Sequence, residues 1–263
     1  MAHGTSLHGR CWAPIAGHLG PGLRALALDM RGHGRSGPSP DGAYPWERFA
    51  LDLLATVDTL GLAEAGGSPV GAGHSAGATA FLLAEAMRPG TFGRLWLWEP
   101  VLRAPGSDLR SGRSAELAAR ARKRKAHFAS PAQARHYLQG RGMFAEMGGE
   151  ALDAFLQGAF VPDGGGGLEL ACAPETEAKV YEAAPQLRLW DTLGSVACPV
   201  RLLGGAESPA VPPRELALLA ERLPRATTSL WPGLGHFGPF GDPAAAGADL
   251  SQWAGAALDA GPA

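Results

Sequence analysis

No run of this 263-residue chain approaches the ~20 consecutive apolar residues that a membrane-spanning helix needs, so no membrane partner is expected. Cysteine is scarce. Cys11, Cys172 and Cys198 stand far apart with no C-x-x-C pair, so neither a zinc site nor a disulfide framework is implied, and a reducing compartment, the cytoplasm, is expected. Charge of either sign is sparse and nearly balanced. A formal net charge of −2 gives no electrostatic reason to expect nucleic acid or an anionic surface as partner. The opening Met1-Ala2-His3-Gly4 carries neither the basic nor the apolar region of a secretory signal. These residues call for no metal and no cofactor.

Glycine and proline are plentiful but spread along the chain, which reads as frequent turns rather than a repeat. A 46% hydrophobic content on this length fills the core of one large α/β domain. Strand and helix patterns alternate in the first hundred residues. Trp12–Leu19 reads as helix, Leu23–Asp29 as a buried strand, Trp46–Leu60 as an amphipathic helix, Ser68–Ala72 as strand, Ala78–Met87 as helix and Arg94–Trp98 as strand. Such alternation predicts a mostly parallel sheet with helices on both faces. From about Pro100 to Leu193 the runs are mainly helical, broken by the glycine loop 163–167. Alternation then resumes with strand Val200–Leu203, helix Arg214–Leu223, strand Thr227–Trp231 and helix Ala244–Leu258. The division expected is a core of residues 1–99 and 196–263 with a helical lid inserted at 100–195.

Gly73-His74-Ser75-Ala76-Gly77 fits G-x-S-x-G, a sharp strand-to-helix turn that lifts a serine hydroxyl clear of a sheet edge. Far downstream Gly235-His236-Phe237 follows another strand-like run. A nucleophile early and a histidine late, each just past a strand, predict a pair in which His236 takes the Ser75 proton. Taken with Ala2-His3-Gly4-Thr5, the loop 29–36 (Asp-Met-Arg-Gly-His-Gly-Arg-Ser) and the ending Gly-His-Phe-Gly-Pro at 235–239, the chain resembles the α/β-hydrolases, the four motifs occurring in that family's order.

That resemblance implies the α/β-hydrolase fold and a cofactor-free, carboxylesterase-like serine hydrolase. Its substrate would be a small or medium carboxylic ester, cleaved through an acyl-enzyme. Ser75 is the implied nucleophile and His236 the base. The acid that orients the imidazole is expected at Glu207, in the Gly204-Gly-Ala-Glu207 loop where the family has Gly-x-x-Asp, with Glu99 after the Trp96-Leu-Trp98 strand as the alternative. The backbone N–H groups of Thr5 and Ala76 are implied as the oxyanion hole. His3 is read as a structural hydrogen bonder, and Asp29, Arg31, His33 and Ser36 as scaffold. Thioester, lactone and C–C hydrolysis and haloperoxidase-like turnover use the same machinery. The rival from another class is a non-catalytic interaction protein of the same fold.

The resemblance also implies that the N-terminal strands are missing. The family's third strand ends at His-Gly, and here His3 stands almost at the start. Either the working protein carries about 25 more residues upstream, judged from mean strand and turn lengths, or this is a truncated relative. The basic run 120–125 (Arg-Ala-Arg-Lys-Arg-Lys) is placed on a lid helix Ala115–Phe128 and read as a solvated face rather than a nucleic-acid patch.

Overall fold

The computed structural model describes residues 1–63, 67–105, 112–184 and 189–258. Seven strands run through them: β1 (Val70–His74), β2 (Arg94–Trp98), β3 (His127–Phe128), β4 (Phe160–Pro162), β5 (Leu168–Leu170), β6 (Val200–Gly205) and β7 (Ala226–Trp231). The central sheet has the order β1-β2-β6-β7, every pair parallel, with Gly73 opposite Leu97, Trp98 opposite Leu203 and Gly204 opposite Leu230. This register brings the carboxyl ends of the strands to one edge, so the loops that leave them meet there.

The near-continuous apolar run of β2 has a simple cause: both faces of a parallel sheet are covered, so alternate side chains enter different cores. Leu95 and Leu97 join a cluster with Phe49, Leu53, Phe81 and Leu82 from the helices Trp46–Thr59 and Ala76–Met87. Trp96 and Trp98 point the other way, toward Trp12, Phe240 and Leu250. The C-terminal helix Pro243–Leu258 is tied to that face by Asp249. Its carboxylate accepts from Trp96 Nε1 at 2.7 Å and from Arg201 at 2.8 and 2.5 Å.

On the far side of β1 lies the N-terminus. Leu28 N–H donates to Met1 O, Ala2 N–H to Ala72 O and His74 N–H to Ala2 O, so Met1–His3 occupy the place between β1 and the Leu23–Asp29 run. The strand slot expected to be empty is thus filled at its carboxyl end. The Leu23–Asp29 run differs from expectation. It makes a bridge at Leu28 and no longer ladder, and Leu26 stays 40% exposed, because Met1 and Ala2 are the residues that pair with it. A groove of ≈ 580 Å³ follows this outer side, lined by Met1, Trp12, Ala25, Ala27, Gln157 and Phe160, and not by Ser75 or His236.

Residues 100–195 are less helical than the pattern predicts; 106–111 and 185–188 lie outside the described residues. Helices Arg113–Arg122, Pro131–Leu138, Gly149–Leu156 and Pro174–Ala183 are joined by a small antiparallel sheet of order β3-β5-β4. The 163–167 run is the connection between β4 and β5, where the Asp163 carboxylate accepts from the N–H groups of Gly165 and Gly167. The first of these helices stops at Arg122 instead of continuing to Phe128, because His127 and Phe128 pair with Glu169 and Leu168. Two cations of the basic run are paired: Arg122 bridges Glu175 and Glu182, and Arg124 pairs with Glu177, all three acids on helix Pro174–Ala183. Leu138, Phe144, Leu152 and Phe155 share one apolar cluster with Trp12 and Trp98, so the inserted segment packs directly on the sheet layer.

Candidate active site

Ser75 leaves β1 with φ 54° and ψ −119° and is followed at once by the helix Ala76–Met87. A serine pays for this left-handed φ with strain of about 1–3 kcal/mol, and the surroundings must hold it there. They do so through Ser75 N–H, which donates to Trp98 O at 2.9 Å, and through the two flanking glycines. A Cβ on Gly73 would lie 2.6 Å from Ala78 Cα, and one on Gly77 would strike Ala2 O. Strand and helix can come this close only where those two side chains are absent.

Among the described residues, three non-glycine residues have left-handed φ: Ser6 at 73°, Ser75 at 54° and Glu99 at 45°. Ser75 and Glu99 each directly follow a strand of the central sheet, β1 and β2. Glu99 follows β2 and is fully buried. One carboxylate oxygen accepts from Gly205 N–H at 2.9 Å; the other accepts from Ser208 Oγ at 2.7 Å and from His236 Nδ1 at 2.6 Å. Since a carboxylate only accepts, Nδ1 carries the imidazole proton, and Nε2 turns its lone pair to Ser75 Oγ, 3.1 Å away. Ser75, His236 and Glu99 form one continuous hydrogen-bonded line.

Glu207, the acid placed first by the sequence, is not on that line. It is exposed, and its carboxylate accepts from Gly233 N–H at 3.0 Å, bracing the loop that leads to His236. The backbone decides between the two acids. The Glu99 N–H donates to Leu203 O, so the carboxylate side chain turns inward at the strand end, whereas the Gly204–Glu207 turn carries its acid outward. A sequence signal existed in the abrupt placing of a carboxylate and a proline straight after the buried Trp96-Leu-Trp98 run. Ser6 carries no such signal, because a left-handed serine leaves no mark in the sequence.

The Thr5 segment lies against Ser75: a Cβ on Gly4 would sit 3.0 Å from Ser75 Cβ. Thr5 is buried, and Ala76 is the first residue of its helix, where backbone N–H groups lack intrahelical partners. Beneath them, His3 Nδ1–H donates to Gly4 O at 2.8 Å and Nε2 accepts from Met30 N–H at 3.0 Å, so the ring is neutral and spans the turn to the neighbouring loop. Burial, and after it the nearby His33, hold the His3 pKa well below the ordinary value. The 29–36 loop holds itself together. Asp29 accepts from Gly9 and Arg35 N–H, Ser36 Oγ donates to Asp29 O, Arg31 forks onto Asp52 and His33 Nδ1–H donates to Arg31 O. None of these four side chains points its chemistry at Ser75. Among the described residues no His, Cys, Asp and Glu group is arranged to hold a metal ion.

Residues 1–250 match the Alpha/beta hydrolase family. Among curated proteins, the lipase LipV of Mycobacterium tuberculosis is 33% identical over 156 residues, which is 59% of this chain and 54% of the lipase. The non-heme chloroperoxidase of Burkholderia pyrrocinia is 40% identical over 76 residues, 28% of this chain and 26% of that protein. The matched stretches thus span about half of the first relative and a quarter of the second. Among solved structures, the peroxisomal α/β-hydrolase Lpx1 of Saccharomyces cerevisiae superposes with a TM-score of 0.82 over 100% of this chain and 77% of that one, at 19% identity. At that identity the likeness is one of fold.

Proposed function

The chain belongs to the α/β-hydrolase family, and from that premise we propose that it is a serine hydrolase that cleaves small or medium carboxylic esters through an acyl-enzyme. The observation that carries the proposal is the unbroken line Ser75 Oγ, His236 Nε2, His236 Nδ1 and Glu99, with separations of 3.1 and 2.6 Å. The likeness to a lipase supports the ester as substrate.

In this reading Ser75 Oγ attacks the acyl carbonyl while His236 Nε2 takes its proton, forming a tetrahedral adduct. The resulting imidazolium faces the buried Glu99 carboxylate, which accepts from its Nδ1–H and stabilises it. His236 then returns the proton to the leaving alcohol as the C–O bond breaks, and the acyl group remains on Ser75. Water repeats the sequence with His236 again as base, releasing the acid. The adduct's negative oxygen is held by the N–H groups of Ala76 and Thr5; each such donor contributes about 10²–10³ in rate. Proton transfer through a positioned histidine contributes a further ~10²–10⁴. Gly4 packs against Ser75, which supports this role for the adjoining Thr5.

A fluorophosphonate probe tests the proposal: mass analysis should find one adduct on Ser75, and Ser75→Ala should abolish it. A folded protein that never labels would favour the non-catalytic reading. The stretch shared with the chloroperoxidase supports a second use of the same residues, haloperoxidase-like turnover, which an assay with peroxide and halide separates from hydrolysis of esters, thioesters and lactones. Cytoplasmic residence is part of the proposal, supported by three buried, unpaired cysteines.

A further inference from the structure

The peptide group joining His236 to Phe237 is gripped from two sides. Its carbonyl accepts from His74 Nε2–H at 3.0 Å, and its N–H donates to the Glu146 carboxylate at 3.1 Å. His74 immediately precedes Ser75 and is buried; its ring lies 4.8 Å from that of His236, 5.4 Å from Phe237 and 5.1 Å from Phe240. Glu146 belongs to the inserted segment, and its neighbours follow the same loop. Gly148 N–H donates to Phe240 O at 3.0 Å, and a Cβ on Gly241 would lie 2.6 Å from Glu146 O. Gly235 passes so near the Glu146 carboxylate that any side chain there would collide with it.

From these contacts we infer that His74 and Glu146 are positioning residues that fix the His236 imidazole over Ser75, one reaching from the strand that carries the nucleophile and the other from the inserted segment. A general base works only within hydrogen-bond reach of the proton it takes, and a displacement of ~1 Å costs about 100-fold in rate. The Ser75–His236 bond is a single contact between two side chains and cannot by itself set the backbone that bears the imidazole. His74 closes a second link between the same two chain segments, and Glu146 ties the His236 loop to the inserted segment. The proton that His74 donates is secure. Burial, reinforced by the adjacent His236, keeps this ring neutral by holding its pKa well below the ordinary value. Its Nδ1 has no hydrogen-bond partner and faces Gly4, where an added side chain would lie 2.6 Å away. The kinetic consequence rests on the serine-hydrolase reading; the geometric one does not.

The test compares the wild type with His74→Phe, His74→Gln, Glu146→Ala and Glu146→Gln. One readout is the rate of fluorophosphonate labelling at Ser75, with kcat and KM on a p-nitrophenyl ester. The other is the downfield proton resonance of His236 Nδ1–H, which reports its bond to Glu99 without any turnover. His74→Phe should slow labelling and kcat by about 10–100-fold with KM little changed, and should shift or broaden the resonance. His74→Gln keeps a donor and should restore most of both. Glu146→Ala should slow labelling by about tenfold, the loss of one charged hydrogen bond, while Glu146→Gln keeps an acceptor and retains most of the rate. Should His74→Phe fail to fold, His74→Leu, which also removes the donor, takes its place beside Glu146→Ala. Labelling and resonance both unchanged in the His74 variant that lacks a donor and in Glu146→Ala would overturn the inference. A wild type that does not label, yet whose resonance moves in these variants, would remove the hydrolase reading and leave the positioning role standing.

Discussion

Glu99 unites two properties at a single residue: complete burial and three donors converging on its carboxylate. Glutamine there has nearly the same shape, but its amide brings two N–H groups into a site built of donors, and it loses the charge that faces the imidazolium. Glu99→Gln should therefore lower kcat by about 10³-fold or more with KM little affected. Glu207→Gln, on an exposed side chain with one partner, should change stability by less than about 0.5 kcal/mol and leave kcat near the wild-type value. Equal losses in the two variants, measured on a p-nitrophenyl ester, would refute this assignment of the acid. Gly77 gives a second prediction at this scale. A methyl group there meets the carbonyl of Ala2, so Gly77→Ala should cost about 1–3 kcal/mol in urea unfolding by forcing Met1–His3 away from β1.

Strands and helices were legible in the sequence where both faces of an element are buried by its own neighbours. The β1 and β2 runs and the helix after Ser75 follow from continuous apolar stretches between turns. What stayed hidden depends on partners distant in the chain. Arg113–Arg122 ends early because β5, some forty residues on, claims His127 and Phe128, and nothing local marks that stop. The Ser75 and His236 motifs announce themselves through glycines whose absent side chains allow close approach. Glu99 is chosen over Glu207 by backbone direction, which residue type does not encode. The basic run shows the same limit: its solvated-face reading fits Arg122, whose partners are half exposed, but Arg124 reaches Glu177, whose side chain is only 6% exposed. Arg124→Met leaves that carboxylate buried without its partner and should cost about 3 kcal/mol, whereas Arg124→Met with Glu177→Leu should recover most of the loss. Urea midpoints of the two singles and the double give the coupling; strictly additive losses would mean that the pair contributes no link between helices Arg113–Arg122 and Pro174–Ala183.

The molecule as a whole carries an acid sensitivity set by its buried histidines. His3, His33 and His74 are fully enclosed and His8 nearly so, and desolvation lowers the pKa of each below the ordinary value near 6.5. The sign follows from proton counting. Between the lowered native values and 6.5 the unfolded chain binds protons that the native protein refuses, so stability is complete above about pH 6.5 and falls as the pH drops below it. Each such histidine removes about 1.4 kcal/mol per pH unit in that window. The losses from these rings add, so the native protein loses stability to acid over a window where a domain holds only roughly 5–15 kcal/mol in reserve. The window lies above the ordinary range of carboxylates, so the loss belongs to the imidazoles. His33→Asn should flatten the slope, since that ring's Nε2 has no partner and its Nδ1–H bond to Arg31 O can be replaced by an amide. Urea unfolding at pH 7.5, 6.0 and 5.0 measures both quantities. A stability that holds level across that range would mean these rings take up protons in the native state, and the neutral His74 that braces His236 could not then be maintained as the solution turns acid.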